Sequence, residues 1–491
     1  MSAPEGPIAA SSLEAISLRP AARGLAWLGA GEVVAKAFAF AATAYLARVL
    51  GPDGFGILAF AAAFAIYFVI LVDFGLGVYG TREIARGADV RRLAGDVFLL
   101  RLALAVVGAA LLFAITPLLG KSPLATATIH WSVFLLFSFG AGLFWVFQGL
   151  ESMAAVALAG VVAQLVYTAG VLAFVHAPAH LLRVPILQAG GEVGAALFLL
   201  VLLVRRGLAP RFVLDPGRLA RIFRESTPLA WTRVLRGLLY NGDMLILGFL
   251  ARDEVVGNYS AAYRVVFALL TINVLMGAAL LPLKSRARDR SPAVYGEMIG
   301  RLSYATAAAM LPIALGGTLL AGPIVRLLFG EKFGDAALPL AILSWAALIL
   351  PIGENLRRVL WAFDLAARDA RALAISALVL LISCLVLVPR FGAVGAAAAT
   401  LIAETTILAI SVAEVRRLVA PFPLVRPIRP LLVSAIAMSA AVWPARGLGL
   451  TVAIPLGAAV YIGTLALQRA IPAEILPRRR GGARRDQLPR A

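Results

Sequence analysis

Two arginines, Arg233 and Arg236, stand three residues apart inside an apolar run, so a helix there would carry both on one face. Tyr240 and Asp243 continue the same stripe. Adjacent guanidinium groups repel each other unless an anion or an acidic side chain neutralises them, and Asp243 can neutralise only one. Guanidinium groups bind phosphate oxygens in pairs. The pattern therefore predicts an anion-binding site or, alternatively, two side chains that extend to the nearer membrane surface.

Charged residues also interrupt other apolar runs. Glu32 and Lys36 stand four residues apart, in the order that favours an ion pair, so they can neutralise each other. Arg264 enters its apolar segment from the opposite end and can also reach a membrane surface. A charge at mid-bilayer costs about 2.5–3.5 kcal/mol on insertion scales, so each of these residues needs a partner or water.

Other kinds of chemistry are missing from the sequence. The chain has one cysteine, Cys384, and three histidines that match no metal-ligand spacing. It contains no phosphate-binding loop of the form GxxxxGK[ST] and no recognisable catalytic dyad or triad. We therefore expect no enzymatic activity, no metal site and no cofactor, although transport driven by a proton or sodium gradient, or by the membrane potential alone, stays open.

The elements that must position these charges are membrane-spanning helices. Hydrophobic residues make up 61% of the 491-residue chain and charged residues only 14%, against roughly 25% charged residues in soluble domains. The apolar residues form runs of about twenty, the length of one bilayer crossing. We predict an all-α polytopic membrane protein of about fourteen helices. The predicted spans are 24–48, 55–79, 97–118, 125–148, 153–176, 185–204, 228–251, 258–283, 302–322, 336–362, 372–388, 393–415, 430–445 and 450–468.

The loops between these spans alternate in charge. One side collects 33 Lys and Arg residues and the other side 8. This positive-inside bias places both termini in the cytoplasm of a bacterial inner membrane. It also accounts for the net charge of +19 without nucleic acid. The longest loop on the far side, 323–335, is apolar enough to lie along the interface, and it leaves no room for an external domain.

The sequence repeats itself weakly over six predicted helices. Aligning Gly56 with Gly257 gives an offset of 201 residues, and Glu192 aligns with Glu404 at an offset of 212. Six helices per copy predict parallel repeats related by an axis along the membrane normal. We therefore divide the chain into a cytoplasmic N-terminus, an N-lobe, a linker, a C-lobe, two additional helices and a basic tail: 1–23, 24–204, 205–227, 228–415, 430–468 and 469–491.

Four motifs carry a family resemblance. They are RVLGPDGFGILAFA…VDFGLGVYGTREIAR (48–86), WVFQGLE (145–151), LLFGEKFGDAALPLAILSWA (327–346) and VPRFGAVGAAAATLIAE (388–404). Together they resemble the Wzx-type polysaccharide flippases of the MOP superfamily, the multidrug, oligosaccharidyl-lipid and polysaccharide exporters. The resemblance implies two six-helix lobes around a cavity. It also implies transfer of an undecaprenyl-pyrophosphate-linked oligosaccharide between the leaflets for surface polysaccharide biosynthesis.

The resemblance also suggests roles for particular residues. Cavity-facing cations of this superfamily are associated with the anionic group of the substrate, and the matching positions are Lys36, Arg233, Arg236 and Arg264. Carboxylates that could act as charge partners or coupling groups are Glu32, Asp243, Glu192 and Glu404. Lipid-linked oligosaccharide and membrane lipids are the expected partners, with a polysaccharide polymerase and glycosyltransferases beside them.

Three alternatives remain open. A drug or metabolite exporter or a lipid II flippase would belong to the same superfamily. The peptidoglycan-precursor branch, however, tends to carry more arginine on its first helix, where this chain has only Lys36 in the interior and Arg48 near the end. A membrane-embedded glycosyltransferase or ligase is the alternative of another class, and the internal repeat and short external loops argue against it.

Overall fold

The protein is described by a computed structural model. It covers residues 18–268, 292–363, 365–419, 421–424 and 427–472. Most of the predicted N-terminal and C-terminal segments, 1–17 and 473–491, lie outside the described residues. So does the second part of the predicted span 258–283.

Helices account for nearly all of the described chain, and no β-strand occurs within those ranges. The first eight helices are α1 (Leu18–Asp73), α2 (Leu76–Ala85), α3 (Val90–Ile115), α4 (Pro123–Trp131), α5 (Val133–Gly140), α6 (Phe144–Gly149), α7 (Met153–Phe174) and α8 (Arg183–Arg205). The others are α9 (Pro216–Leu250), α10 (253–268), α11 (Pro292–Leu319), α12 (Ala321–Phe329), α13 (Ala337–Leu343), α14 (Ala346–Ala362), α15 (Ala366–Leu418), α16 (Ile428–Ala445) and α17 (Leu450–Leu467).

Nine helices within the described ranges are long and apolar enough to cross a membrane, or ten if one bent pair counts as a single span. One of them, Gly29–Ala85, runs through most of α1 and all of α2 and contains 57 residues, and α15 contains 53. These lengths correspond to roughly 85 and 80 Å of helix against a hydrocarbon core of about 30 Å. Each is therefore long enough for two crossings. The prediction of an all-α polytopic membrane protein is confirmed, whereas the number fourteen stays a prediction.

The long helices break at glycines. Gly51 in α1 and Gly392 in α15 both have positive φ, 69° and 54°, which glycine adopts without the steric cost of a side chain. In α15 the chain reverses there, and across the reversal the Ser376 hydroxyl donates a 2.7 Å hydrogen bond to the carbonyl oxygen of Ala403. The two parts of α15 thus lie side by side, which agrees with the separate predicted spans 372–388 and 393–415.

The predicted linker 205–227 is not a simple loop. Helix α9 begins at Pro216, twelve residues before the predicted start of its span. The Asp215 carboxylate accepts a hydrogen bond from the backbone N–H of Arg218 and caps the helix, and proline suits the first helical position. The spacing of apolar residues did not reveal this start because the first turns of α9 are polar.

Helix packing joins the N-terminal half of the chain to the C-terminal half. Helix α1 packs against α7 and α9, α7 packs against α8, and α15 packs against α9 and α14. The largest buried cluster contains side chains from both halves, among them Phe55, Phe60, Tyr259 and Phe333. Helices α16 and α17 pack together and contact α11. The central contact between the halves therefore runs along α1, α9 and α10. The division into lobes stays a prediction.

Candidate functional site

A cavity of about 800 Å³ lies between α1, α2, α3, α6, α7, α8 and α9. Its lining contains an unusual set of charged and amide side chains for a membrane interior. They are Glu32, Lys36, Asp73, Arg82, Arg101, Gln148, Gln164, Glu192 and Arg233. The cavity thus brings together four of the residues singled out in the sequence, Glu32, Lys36, Glu192 and Arg233. The side chain of Arg236 lies outside the described part of the structure.

Asp73 is the acidic centre of this cavity. It is the last residue of α1, just before Phe74 and Gly75, whose positive φ angles turn the chain into α2. The side chain is almost fully buried, at 1% exposure. Arg101 of α3, itself 3% exposed, donates a hydrogen bond to Oδ1 of Asp73 and another, 3.1 Å long, to the carbonyl oxygen of Gly142.

Arg233 of α9 contacts the other oxygen of the same carboxylate. Its Nη1 lies 2.8 Å from Oδ2 of Asp73. Because Oδ2 has no hydrogen-bond partner of acceptable geometry among the side chains that the structure describes, this contact is a close ion pair rather than an aligned hydrogen bond. The partners of Asp73 therefore come from α3 and α9.

The charges around Asp73 do not balance. Among the described side chains, two guanidinium groups face the one carboxylate of Asp73, which leaves one positive charge in excess. Arg101 is buried, but 40% of the Arg233 side chain is exposed, so Arg233 can reach a ligand in the cavity. Lys36 and Glu32 form their own ion pair at 3.3 Å and are both about half-exposed. The excess charge therefore centres on Arg233, where it can hold an anion.

A second cavity of about 500 Å³ adjoins the first, because both are lined by Phe139 and Glu192. Its polar lining consists of Gln188, Glu192, Asn241, Ser260, Tyr263 and Arg264. Nη1 of Arg264 donates a 3.2 Å hydrogen bond to the Thr43 hydroxyl, and the guanidinium lies 5.4 Å from the centre of the Phe55 ring. Among the carboxylates that the structure describes, none forms an ion pair with Arg264. Arg233 therefore lines the first cavity and Arg264 lines the second.

The spacing along α9 suggested that Asp243 could neutralise one of the two arginines. In the structure it does not neutralise Arg233. Its buried carboxylate accepts hydrogen bonds from the hydroxyl groups of Tyr259 on α10, at 2.5 Å, and Thr400 on α15, at 2.9 Å. The reason for the difference is helix rotation: α9 directs Arg233 towards α1 and Asp243 towards α10 and α15. Glu404 is also buried, at 6% exposure. It interacts electrostatically with Glu354 and Arg357 of α14.

Sequence reasoning missed Arg101, the residue that holds Asp73. Arg101 stands only four residues after the start of the predicted span 97–118, but α3 begins at Val90 and places Arg101 three turns inside. The apolar run FLLRLALAV around it was the available signal. Across the described ranges, no three His, Cys, Asp or Glu side chains lie together as metal ligands would.

Comparisons with known proteins agree with this architecture. A family model described as "Polysaccharide biosynthesis protein" matches residues 21–288. The chain is 25% identical over 310 residues to a putative O-antigen transporter of Escherichia coli (strain K12), covering 61% of this chain and 73% of the relative. It is 28% identical over 230 residues to a probable flippase, AglR, of Haloferax volcanii, covering 46% and 48% of the two chains.

Among solved structures, the fold resembles a lipid II flippase, MurJ, in an inward closed conformation. The TM-score is 0.76 at 12% identity, and the match covers 90% of this chain and 98% of the other. A likeness at this identity concerns the fold. The family model, in contrast, matches more than half of the sequence and confirms the resemblance drawn from the four motifs. The chain therefore belongs to the polysaccharide biosynthesis protein family of membrane transporters.

Proposed function

We propose that the protein transfers a lipid-linked oligosaccharide between the leaflets of the membrane by alternating access. The observation that carries the proposal is the half-exposed Arg233 beside the Asp73–Arg101 pair, in a cavity that also presents amide side chains. A pyrophosphate group needs cationic donors, and a glycan needs amide and hydroxyl groups in a wet cavity. Undecaprenyl pyrophosphate is the carrier that the family resemblance implies.

The residues of the two cavities divide these tasks. Arg233, Arg236 and Lys36 are the proposed contacts of the pyrophosphate. Gln148, Gln164 and Gln188 offer donors and acceptors for sugar hydroxyl groups along the way to Arg264. The prenyl chain stays in lipid. A polymerase and glycosyltransferases of the same polysaccharide are proposed partners, which co-purification from the native membrane would test.

Deletion of the gene should abolish one surface polysaccharide and leave tolerance to drugs unchanged. The lipid-linked repeat unit should accumulate on the cytoplasmic side, because its synthesis continues without export. Gel analysis of surface polysaccharide and extraction of the lipid-linked intermediate would show this, with the intact gene supplied in trans as the control. A normal polysaccharide together with increased drug sensitivity would indicate an exporter of small molecules instead.

We further propose that both termini face the cytoplasm of the inner membrane. Reporter fusions after Arg92, Arg218, Arg288 and Arg485 should then report cytoplasm, and fusions after Lys121 and Arg390 should report periplasm. The physical basis is the ratio of 33 to 8 basic residues between the two sets of loops. A reversed reporter after any of these residues would contradict the proposed orientation.

We propose that an ion gradient, of protons or sodium, drives transport through one of three carboxylates, Glu192, Asp243 or Glu404. Glu192 lines both cavities, and the other two are buried in the C-terminal half. Transport into energised vesicles should then stop with a protonophore or on removal of sodium, and the Gln or Asn variant of the coupling residue should lose that dependence. Transport that is unaffected by both treatments would contradict ion coupling.

A further inference from the structure

The two glycines that align in the internal repeat, Gly56 and Gly257, meet in the structure. A Cβ atom added to Gly56 would lie 1.8 Å from the carbonyl oxygen of Asp253. A Cβ atom added to Gly257 would lie 2.0 Å from the carbonyl oxygen of Pro52. Real Cβ atoms essentially never come within 3.0 Å of another heavy atom in this way. The backbones of α1 and α10 therefore touch at a point where no side chain fits.

This contact is symmetric within the repeat. Each glycine meets the carbonyl oxygen four residues before the other glycine. Pro52 and Asp253 are separated by the same 201 residues that separate Gly56 from Gly257. The pseudo-twofold axis between the two repeats must therefore pass through the crossing. A contact on such an axis lies between the two halves of the molecule rather than inside either half.

Further contacts between the halves surround the crossing. Lys121 donates a hydrogen bond to the carbonyl oxygen of Gly248, and Nε of Arg48 donates one of 3.0 Å to the carbonyl oxygen of Leu328. The rings of Phe55 and Phe333 pack edge to face at 5.9 Å. All of these residues lie at or near helix ends that the charge bias places on the periplasmic side. The second cavity lies next to these contacts, towards the interior of the membrane, because Arg264 lines that cavity and lies over the Phe55 ring.

We propose that the crossing of Gly56 and Gly257 is the external gate of the transport path, and that glycine at both positions is what lets the gate close. A close crossing of small residues buries backbone against backbone and gains weak Cα–H···O contacts. Those contacts are modest, so the gate can open when the halves separate. The inference rests on alternating access in the proposed function, but it does not depend on which substrate is carried.

A side chain at either glycine should hold the gate open. Even the Cβ of alanine requires the helices to move apart by about 1.2 Å at Gly56 and about 1.0 Å at Gly257 to restore 3.0 Å. Leucine requires more. The matched control is Gly463 of α17, a helical glycine whose added Cβ would meet no atom of the described residues within 4 Å.

The test uses a cysteine at Gln188, an exposed side chain that lines the second cavity, in a Cys384→Ala background. A charged maleimide that cannot cross the membrane is added from the periplasmic side. Gly56→Leu and Gly257→Leu should each accelerate labelling by about tenfold, as a shifted open–closed equilibrium would. Gly463→Leu should not. Unchanged labelling in Gly56→Leu and Gly257→Leu at normal protein levels would overturn the proposal.

Gly56→Ala and Gly257→Ala provide a milder version of the same test in case the leucine variants do not accumulate.

A second measurement keeps both glycines. Cysteines replace Asp53 and Glu254, which are also repeat-equivalent and flank the crossing, and a short reducible crosslinker joins them. Crosslinking should suppress labelling at residue 188, and reduction should restore it. Labelling that continues at full rate through a quantitatively crosslinked gate would refute the proposal.

The labelling experiments test the gate independently of the substrate. If the deletion phenotype shows no polysaccharide defect while the labelling results hold, the gate stands and the proposed cargo is wrong. If export depends on the protein but neither glycine substitution changes the rate of labelling, the proposed function stands and the gate proposal is wrong.

Discussion

Arg101→Ala should destabilise the protein more than substitution of any other basic residue around the first cavity. Of the contacts that the structure describes, it leaves the buried carboxylate of Asp73 with only the misaligned one to Arg233, and it frees the carbonyl oxygen of Gly142. Breaking a buried ion pair by removing one partner costs about 3–5 kcal/mol. We expect the apparent Tm of the purified protein to fall by roughly 5–10 °C, and the amount in the membrane to fall with it.

The matched control is Arg86→Ala, which removes an exposed ion pair with Glu83 at 3.1 Å. Pairs of that kind contribute about 0–1 kcal/mol, so its Tm should stay close to that of the unchanged protein. The double variant Asp73→Asn with Arg101→Gln should recover part of the loss, because no unpaired charge then remains buried. If Arg101→Ala is as stable as the unchanged protein, Asp73 is not held as an anion and the charge argument fails.

Arg233→Ala should reduce polysaccharide export by about tenfold or more while the protein still accumulates. Asp73 keeps its buried partner Arg101 in this variant, so the fold loses little. The cavity, however, loses the half-exposed guanidinium that carries its excess positive charge. Hydrogen bonds to charged groups contribute about 1.5–3 kcal/mol, and a value near the lower end suits a side chain that is 40% exposed.

Arg233→Lys should export at an intermediate level, because lysine keeps the charge but lacks the planar fork that binds two oxygens. Lys36→Ala is a useful comparison, since Lys36 is already paired with Glu32 at 3.3 Å and should matter less than Arg233. Export would be measured as surface polysaccharide per unit of membrane protein. Normal export by Arg233→Ala would place the anion site elsewhere and reduce Arg233 to a structural partner of Asp73.

Several features follow from neighbouring residues alone. The Glu32–Lys36 ion pair was predicted from a spacing of four residues, and the structure contains it. The membrane class followed from the length of the apolar runs. The start of α9 at Pro216 was missed although its signal, Asp215 followed by proline, was local. Such features depend on chain geometry within a few residues, where helix periodicity and capping rules apply directly.

The sequence by itself predicted an α-helical membrane protein, the separate spans on either side of Gly51 and Gly392, a weak internal repeat, and the candidate cations Lys36, Arg233, Arg236 and Arg264. Only the tertiary structure decided which charges meet. Asp73, Arg101 and Arg233 come from three helices, and Asp243 faces Tyr259 and Thr400 instead of Arg233. The physical reason is that spacing along a helix determines which residues share a face, whereas the rotation of each helix about its axis is set by packing against its neighbours.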